Sequence, residues 1–380
     1  MRIVQIVNSL DIGGLERLAI DLAVAQQEHG HRTVLYCLSH AGEMAAQAQE
    51  AGIPVIVFGK RTGLSPLTLW RMKDALIRDI PDIVHTHNAV VHHYGVIAAR
   101  IANIPVVVNT RHGLGTLHSD ARQDKIFRAM LPWTDKVVMV SDSTREFFAH
   151  EKGVPYSKSM VILNGIPVRK FTSLPATPGC RRPVLRFGSV GRLVPAKDHA
   201  TLLRAFKIVS GKMPQAELVL VGEGALRPEL ESLVAALNLR DKVSLPGPTP
   251  DVASFLSGLD VFVLSSVTEG LPVAILEAMA AGLPIVSTRI AGIPEIAPEG
   301  SVAAFCPPSD ANALAAAMLQ VGAAPDIGVK GANAQAHVEK HFSLSRMWAE
   351  YECLFQELLL KRKGRAWAPA VPNVTAGETS

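Results

Sequence analysis

The sequence predicts an α/β protein made of two parallel-sheet domains in tandem. Short apolar, β-branched runs alternate with stretches of helical period along most of the chain, as βαβ units require. An opening of strand, glycine turn and helix stands at the N-terminus and recurs near Leu185, which marks a second unit of the same kind. Between them Thr172 to Pro183, TSLPATPGCRRP, is turn-rich and without period. At 380 residues, 48% hydrophobic and 19% charged, the chain is long enough for two cores. The expected units are 1–174 and 175–343, then a long helix over about 344–363 and a disordered tail at 364–380.

Arg2 to Asn8 is an alternating apolar strand, and a helix follows from Leu15 to about His29. The intervening Gly13 and Gly14 let the backbone come close to a bound group, although the G-x-G-x-x-G spacing of a dinucleotide site is missing. Further strands are expected at Thr33 to Leu38, Pro54 to Phe58, Ile83 to His87, Pro105 to Thr110, Lys136 to Ser141 and Met160 to Leu163. Helices fall near 43–51, 66–79, 90–103, 121–131 and 143–152. His85, His87 and His112 all sit at or just past strand ends, on the edge where parallel sheets bind ligands. His85-x-His87 on one strand has no fixed third ligand, so a zinc site is not expected. The 120–133 stretch carries Arg122, Lys125 and Arg128 beside Ile126, Phe127, Met130 and Leu131. It reads as a surface helix packed on the sheet or as a basic helix lying in a membrane interface.

The second half opens with a strand from Leu185 to Val190, then Gly191 to Asp198, then a helix from His199 to Val209. Arg192 and Lys197 bracket a loop that points at a helix N-terminus, a geometry suited to a diphosphate. A strand at Glu217 to Val221, a helix at Arg227 to Asn238 and a short strand at Val243 to Leu245 come next. Asp260 to Ser266 is a buried strand, Thr268 to Gly270 a turn, and Pro272 opens a short helix that Gly282 closes. That helix is apolar on nearly every face except at Glu277. A buried carboxylate costs several kcal/mol unless something pairs with it, and a hydroxyl-rich ligand would serve. A second carboxylate, Glu269, lies eight residues earlier at the strand's C-terminal end. The bland alternative makes Glu269 a solvated loop residue and Glu277 the partner of a core arginine or hydroxyl. After a strand from Ala303 to Cys306 and a helix from Asp310, Leu344 to Lys363 reads as an amphipathic helix with Trp348, Tyr351, Leu354 and Phe355 on one side.

Bulk properties exclude several classes. Residues 1–174 hold 19 Lys or Arg against 15 Asp or Glu, and the remainder holds 19 of each, so the whole net charge of +4 lies in the first half. That is too little for nucleic-acid binding, and it suits weak attraction to an anionic lipid surface. Cys37, Cys180, Cys306 and Cys353 fit neither a metal knuckle nor a redox pair and read as reduced thiols of a cytosolic protein. The N-terminus lacks a signal-peptide pattern, and no apolar stretch is long enough to span a membrane.

Residues 269–286, EGLPVAILEAMAAGLPIV, resemble the E-x7-E motif of the retaining GT-B glycosyltransferases of family 4, with Glu269 and Glu277 at its acidic positions. Gly13-Gly14-Leu15-Glu16-Arg17 is similar to the family's GG-x-E-R opening, and Arg192 to Lys197 to its G-R-L-x-x-x-K-G loop, with Asp198 where glycine is usual. Asn164-Gly165-Ile166 resembles the turn before the interdomain crossing, with Pro167 in place of Asp. The resemblance, which extends to about residue 363, implies the GT-B fold: two Rossmann-like domains facing each other across a cleft, the C-terminal helix crossing back onto the first. It implies a hexosyl transfer from a nucleotide-diphosphate sugar to a saccharide or lipid-linked acceptor; peripheral association at the cytosolic membrane face is a separate expectation that rests on the basic first half and the 120–133 helix. In that frame Gly13 and Gly14 face the donor, and His112 hydrogen-bonds a sugar hydroxyl. Arg192 and Lys197 hold the diphosphate, while Glu269 with Gly270 and Leu271 meets the sugar side and Glu277 the ribose. The backbone near Leu245 meets the base. No D-x-D motif stands at a strand end, so no metal or other cofactor is expected. Both glutamates are expected to be paired by ligand alone. The alternatives are a GT-B enzyme of the UDP-sugar 2-epimerase or glycogen-phosphorylase kind, or an inactive sugar-nucleotide-binding protein.

Overall fold

The computed structural model describes residues 1–61, 63–113, 121–172, 184–290 and 292–363. The 364–380 tail, Cys180 and most of the linker lie outside them. In the first half come β1 (Arg2–Val7), α1 (Gly14–Glu28), β2 (Arg32–Cys37), α2 (Ala45–Glu50), β3 (Val55–Val57), α3 (Pro66–Asp79) and β4 (Ile83–His87). They are followed by α4 (Ala89–Ile101), β5 (Val106–Arg111), α5 (Ala121–Met130), β6 (Lys136–Met139), α6 (Asp142–Lys152), β7 (Ser159–Val161) and α7 (Arg169–Thr172). The strands form one parallel sheet in the order β3-β2-β1-β4-β5-β6-β7.

The second half holds β8 (Leu185–Val190), α8 (His199–Lys212), β9 (Ala216–Val221), α9 (Arg227–Ala236), β10 (Val243–Gly247), α10 (Val252–Ser257) and β11 (Val261–Leu264). Then come α11 (Val273–Ala280), β12 (Ile285–Thr288), α12 (Ile293–Ile296), β13 (Ala303–Cys306), α13 (Ala311–Gly322), α14 (Ile327–His341) and α15 (Leu344–Lys363). Its sheet is parallel in the order β10-β9-β8-β11-β12-β13. Helices cover both faces of each sheet, so the central strands are buried along their length; β11 is a continuous apolar run, VFVL, while β4 ends in His85, Thr86 and His87 and β12 in Ser287 and Thr288. In each sheet the strand order reverses once, between β1 and β4 and between β8 and β11, and the crevice at those carboxyl ends is where such folds bind ligands. This is the GT-B architecture.

α15 leaves the second domain and packs on the first. The Tyr351 hydroxyl lies 2.8 Å from Thr110 Oγ1 in β5, His31 Nε2 lies 2.8 Å from the Glu352 carboxylate, and the His29 ring stacks on Trp348 at 3.6 Å. The crossing is anchored where Ile166 bridges Ser343. α14 has no counterpart in the sequence-based expectation. Its face is made of small residues, Gly331 and Ala334 with Val338, which approach α11 closely instead of presenting a bulky stripe. The 120–133 segment resolves in favour of packing: Phe127 and Leu131 are buried against the sheet. Apolar residues remain on the surface of α3, where Leu67, Trp70 and Ile77 are more than half exposed, and at Trp133 just past α5. No helix among the described residues is long and apolar enough to cross a membrane.

Gly165 is the tightest point of the crossing, since a Cβ there would lie 2.4 Å from the Ser343 carbonyl oxygen and 2.8 Å from Met347 Cβ. Gly165→Ala is expected to lower stability by about 1–3 kcal/mol through this overpacking, read as a fall in melting temperature. An unchanged Tm would show that the crossing tolerates displacement.

Candidate active site between the two sheet edges

On the second domain the site grows from the end of β11. The Ser265 hydroxyl donates to the Lys197 carbonyl at 2.8 Å and the Thr288 hydroxyl to the Ser266 carbonyl at 2.5 Å, which tie the β8, β11 and β12 edges together. Ser266 then donates to Glu269 at 2.8 Å, and Lys197 Nζ donates to the same carboxylate oxygen at 2.5 Å. Glu269 is therefore paired within the protein, contrary to the expectation that ligand alone pairs it. Lys197 and Arg192 likewise do not form a ready-made joint clamp: Lys197 is engaged by Glu269, while Arg192 is exposed. Asp198 stands in the left-handed conformation, φ 45°, that glycine takes most easily, and its carboxylate caps α8 at Thr201 N. The aspartate thus keeps the loop's course and adds a cap.

Glu277 lies on α11, whose N-cap is Pro272, one position before the first helical residue predicted for that proline. The side chain is 7% exposed and makes no hydrogen bond among the described residues. Burial pushes its carboxyl up to about 7, against the pull of Arg17 and Lys170 and with Asp21 adding to the push. Burial likewise raises Asp21 to about 6. Arg17 and Asp21 come from α1 and Lys170 from α7, so this charge cluster crosses the domain seam.

On the first domain Gly13 is the N-cap of α1 and Gly14 its first residue, packed against Val273 of α11. The Glu16 carboxylate folds over Gly13 and lies within electrostatic reach of Arg192. His112 belongs to a buried chain of hydrogen bonds. Gln5 Nε2 donates to Gln26 Oε1 at 3.1 Å, which leaves Gln5 Oε1 to accept from His87 Nε2 at 3.0 Å. His87 Nδ1 then accepts from His112 Nε2 at 2.9 Å, so His112 Nδ1 is left as a lone pair. That atom is buried and without a partner. Burial first, and then Arg111, hold the His112 ring down to about 3, and burial holds His87 well below its usual range, so both rings are neutral. His85 is spent on Thr110 at 2.7 Å, and among the described residues no three His, Cys, Asp or Glu side chains group as metal ligands would.

The two edges meet without side chains between them. A Cβ on Gly270 would lie 2.3 Å from the His112 carbonyl oxygen, and one on Gly292 would lie 2.1 Å from the Gly270 carbonyl oxygen. Leu271 is buried, and its carbonyl accepts from Asn164 Nδ2 at 3.1 Å. The Glu295 carboxylate accepts from the Asp142 and Ser143 N–H groups, both at 2.9 Å, and so caps α6 from the other domain. Asn164 was visible only as a member of a turn and Glu295 not at all, and nothing in their spacing announced a bond across the cleft. Leu245 lies apart on the edge strand β10, and its carbonyl is already taken by Arg227 Nη2 at 2.6 Å.

A raised carboxyl pKa in the folded state means that the folded protein holds its proton more tightly than the unfolded chain does. Glu277 therefore costs nothing below the ordinary range near 4.5, and its penalty grows until pH passes about 7. Glu277→Gln is expected to stabilise the ligand-free protein by about 3 kcal/mol near pH 8, from roughly 2.5 pKa units, and by almost nothing near pH 4. Melting curves of both proteins across pH check this. A loss of stability at pH 8 would make Glu277 a structural partner instead.

The family model described as Glycosyltransferase Family 4 matches residues 12–170, and the one described as Glycosyl transferases group 1 matches residues 185–323. The UDP-Gal:alpha-D-GlcNAc-diphosphoundecaprenol alpha-1,3-galactosyltransferase of Escherichia coli is 31% identical over 50% of this chain and 52% of its own length. The chain thus matches only about half of that relative. N-acetyl-alpha-D-glucosaminyl L-malate synthase of Bacillus anthracis is 26% identical over 76% of this chain and 78% of its own. Among solved structures, HepE of Anabaena in complex with UDP-glucose superposes with a TM-score of 0.84 at 22% identity, covering 94% of this chain and all of that one. With two family models spanning nearly everything but the linker and the C-terminal helices, and the GT-B fold beneath them, the chain belongs to the family 4, group 1 glycosyltransferases.

Proposed function

We propose that the protein transfers a hexose from a nucleoside-diphosphate sugar to a saccharide or lipid-linked hydroxyl, with retention at the anomeric carbon. The observation that carries this is Glu277: a carboxylate buried at the sheet edge without a hydrogen bond, eight residues after an acidic partner on the same edge. Ribose hydroxyls would supply the missing donors. The E. coli relative is named for a UDP-sugar and HepE was crystallised with UDP-glucose, which favours a uridine donor here.

Arg192 and Lys197 would hold the diphosphate. Lys197 has three N–H donors and can keep Glu269 on one while giving the others to phosphate oxygens. Glu269, oriented by Lys197 and Ser266, would accept from a sugar hydroxyl, and His112 Nδ1, a lone pair, from another. Because Glu269 is tied down, it is poorly placed to attack the anomeric carbon itself. The route favoured is front-face displacement. The acceptor oxygen bonds to C1 as the bond from C1 to the phosphate oxygen breaks, and the departing phosphate takes the acceptor's proton. The negative charge developing on that phosphate is met by the two cations, without a metal ion.

The acceptor would be presented at the cytosolic face of a membrane, as in assembly of a surface polysaccharide or glycolipid. α3 is the element suited to that contact: Leu64, Leu67, Trp70 and Ile77 point outward among Arg71 and Arg78, with Lys73 Nζ 5.7 Å from the centre of the Trp70 ring.

Release of UDP from UDP-glucose or UDP-galactose in the presence of excess EDTA is expected to persist, and loss restored only by Mn²⁺ or Mg²⁺ would overturn the two-cation account. Arg192→Gln is expected to weaken UDP binding by about 1.5–3 kcal/mol, read by calorimetric titration. Vesicles containing phosphatidylglycerol should carry the protein in flotation at low salt, and the Leu67→Glu, Trp70→Glu double variant should remain behind. Equal flotation of both proteins would remove α3 from the contact.

A further inference from the structure

One residue before His112 stands a charge that the proposed reaction does not use. Arg111 ends β5 and is 7% exposed, and its guanidinium lies between the rings of Phe127 of α5 and Phe148 of α6, at 5.0 and 4.6 Å. Its Nε and Nη1 are buried and have no hydrogen-bond partner. The acidic group that acts on it is Asp124, which also holds Lys152 Nζ at 2.7 Å. Asp124 acts on Arg111 from a distance and accepts from neither Nε nor Nη1, which keep no acceptor of their own. The proximity of two aromatic rings offsets part of the cost of burial, yet it gives Nε and Nη1 no hydrogen-bond acceptor.

What surrounds this guanidinium is equally short of acceptors. His93 Nε2 on α4 is buried without a partner, and Arg111 lies within electrostatic reach of His92, His93 and His112. α4 begins at Ala89 with no side-chain cap. The residue placed to cap it, Asn88, turns its carbonyl oxygen to the His112 N–H at 3.1 Å instead. A thirteen-residue helix thus points free N–H groups and its positive end toward the same sheet edge. His93, His112 and Gly113 are only partly buried, which leaves the cluster open at the edge of the cleft. Buried guanidinium N–H groups without acceptors and an uncapped helix N-terminus call for the same ligand chemistry, an oxyanion with several acceptor atoms.

We propose that Arg111, with His93 and the N-terminus of α4, forms an anion subsite that takes the phosphoryl group of the acceptor. Its naming as an acceptor site rests on the glycosyl-transfer reading, whereas the anion binding does not. The donor's diphosphate belongs to Arg192 and Lys197 on the opposite domain, so an anion at Arg111 is a second one. The acceptor then brings its own phosphate, and the first domain selects phosphate esters over neutral sugars.

The test is calorimetric titration of inorganic pyrophosphate, geranyl diphosphate and geraniol into the full chain saturated with UDP. Wild type is expected to bind both diphosphates and not the alcohol. Tighter binding of geranyl diphosphate identifies a phosphorylated lipid as the source of the anion, and equal binding identifies the free ion; either outcome supports the subsite. Arg111→Met, which keeps length and apolar packing, should weaken diphosphate binding by about ten-fold or more while leaving UDP affinity within about two-fold. In the empty protein it should melt no lower than wild type, because it removes buried N–H donors that have no acceptor. Absence of diphosphate binding by wild type, or its survival in Arg111→Met, overturns the subsite. Should Arg111→Met fail to fold, His93→Phe takes its place, and unchanged pyrophosphate affinity there overturns it as well. Failure of UDP itself to bind counts against the donor reading and leaves the pyrophosphate titration to be read on its own.

Discussion

The approach of the Gly270 backbone to the His112 carbonyl governs how the two halves of this molecule can work together. With no room for a Cβ at Gly270 or at Gly292, the carboxyl ends of β5 and β11 come within backbone contact, so a ligand on one sheet edge is also a ligand on the other. The remaining seam contacts follow from that approach. Asn164 reaches the Leu271 carbonyl, Glu295 caps α6 across the cleft, and Val273 packs on Gly14. Gly282 and Gly292 also stand at positive φ, 74° and 84°, which glycine takes most easily, whereas Gly270 is explained by distance. Any larger residue would hold the domains apart and pull the sugar side of the site from the nucleotide side.

Around that seam the charges fall into two kinds. Lys197 is paired with Glu269 inside the protein, which fixes the geometry of both and leaves the ammonium two further N–H donors. Glu277 and Arg111 are the opposite, each buried with a charge that the protein does not neutralise by a hydrogen-bonded partner. Uncompensated burial is expensive, and it persists in folded proteins where a ligand supplies what is missing. The two stand on different domains and carry opposite signs. Glu277 asks for hydroxyl donors and Arg111 for an oxyanion, which is the polarity expected of a nucleoside on one side and a phosphorylated acceptor on the other.

The sequence was most legible where burial dictates residue type. β11 is buried on both faces and is a continuous apolar run, and the helix at 66–79 begins at Pro66 behind its Ser65 cap, so both fall where hydropathy and turn residues put them. α14 escaped because its contacts use the smallness of Gly331 and Ala334, and small residues leave no periodic signal. In the site, residue identity was readable and pairing was not. Glu269 could be placed on the ligand edge, but that Lys197 reaches it from 72 residues away depends on the side-by-side packing of β8 and β11. The exposed Trp70 was hidden for a related reason: amphipathic helices bury one face by default, and only the structure shows which apolar residues are left over once that face is filled.

Histidine order is the last property that sequence could not carry. His112 was identifiable by its neighbours, yet an imidazole can present a lone pair or an N–H, and the two demand opposite ligands. Here the choice is made more than one residue away. Gln26 accepts from both Thr33 and Gln5, which turns the Gln5 carbonyl toward His87 and in turn makes His112 Nε2 the donor. With both rings buried and neutral, this order has no protonated state to relax into near neutral pH. The Nδ1 lone pair, buried and without a partner, is then an acceptor, so a hydroxyl can satisfy it and a group that cannot donate does not. Selectivity for a hydroxyl at His112 would on this account be set in the core of the first domain, at residues that touch no substrate.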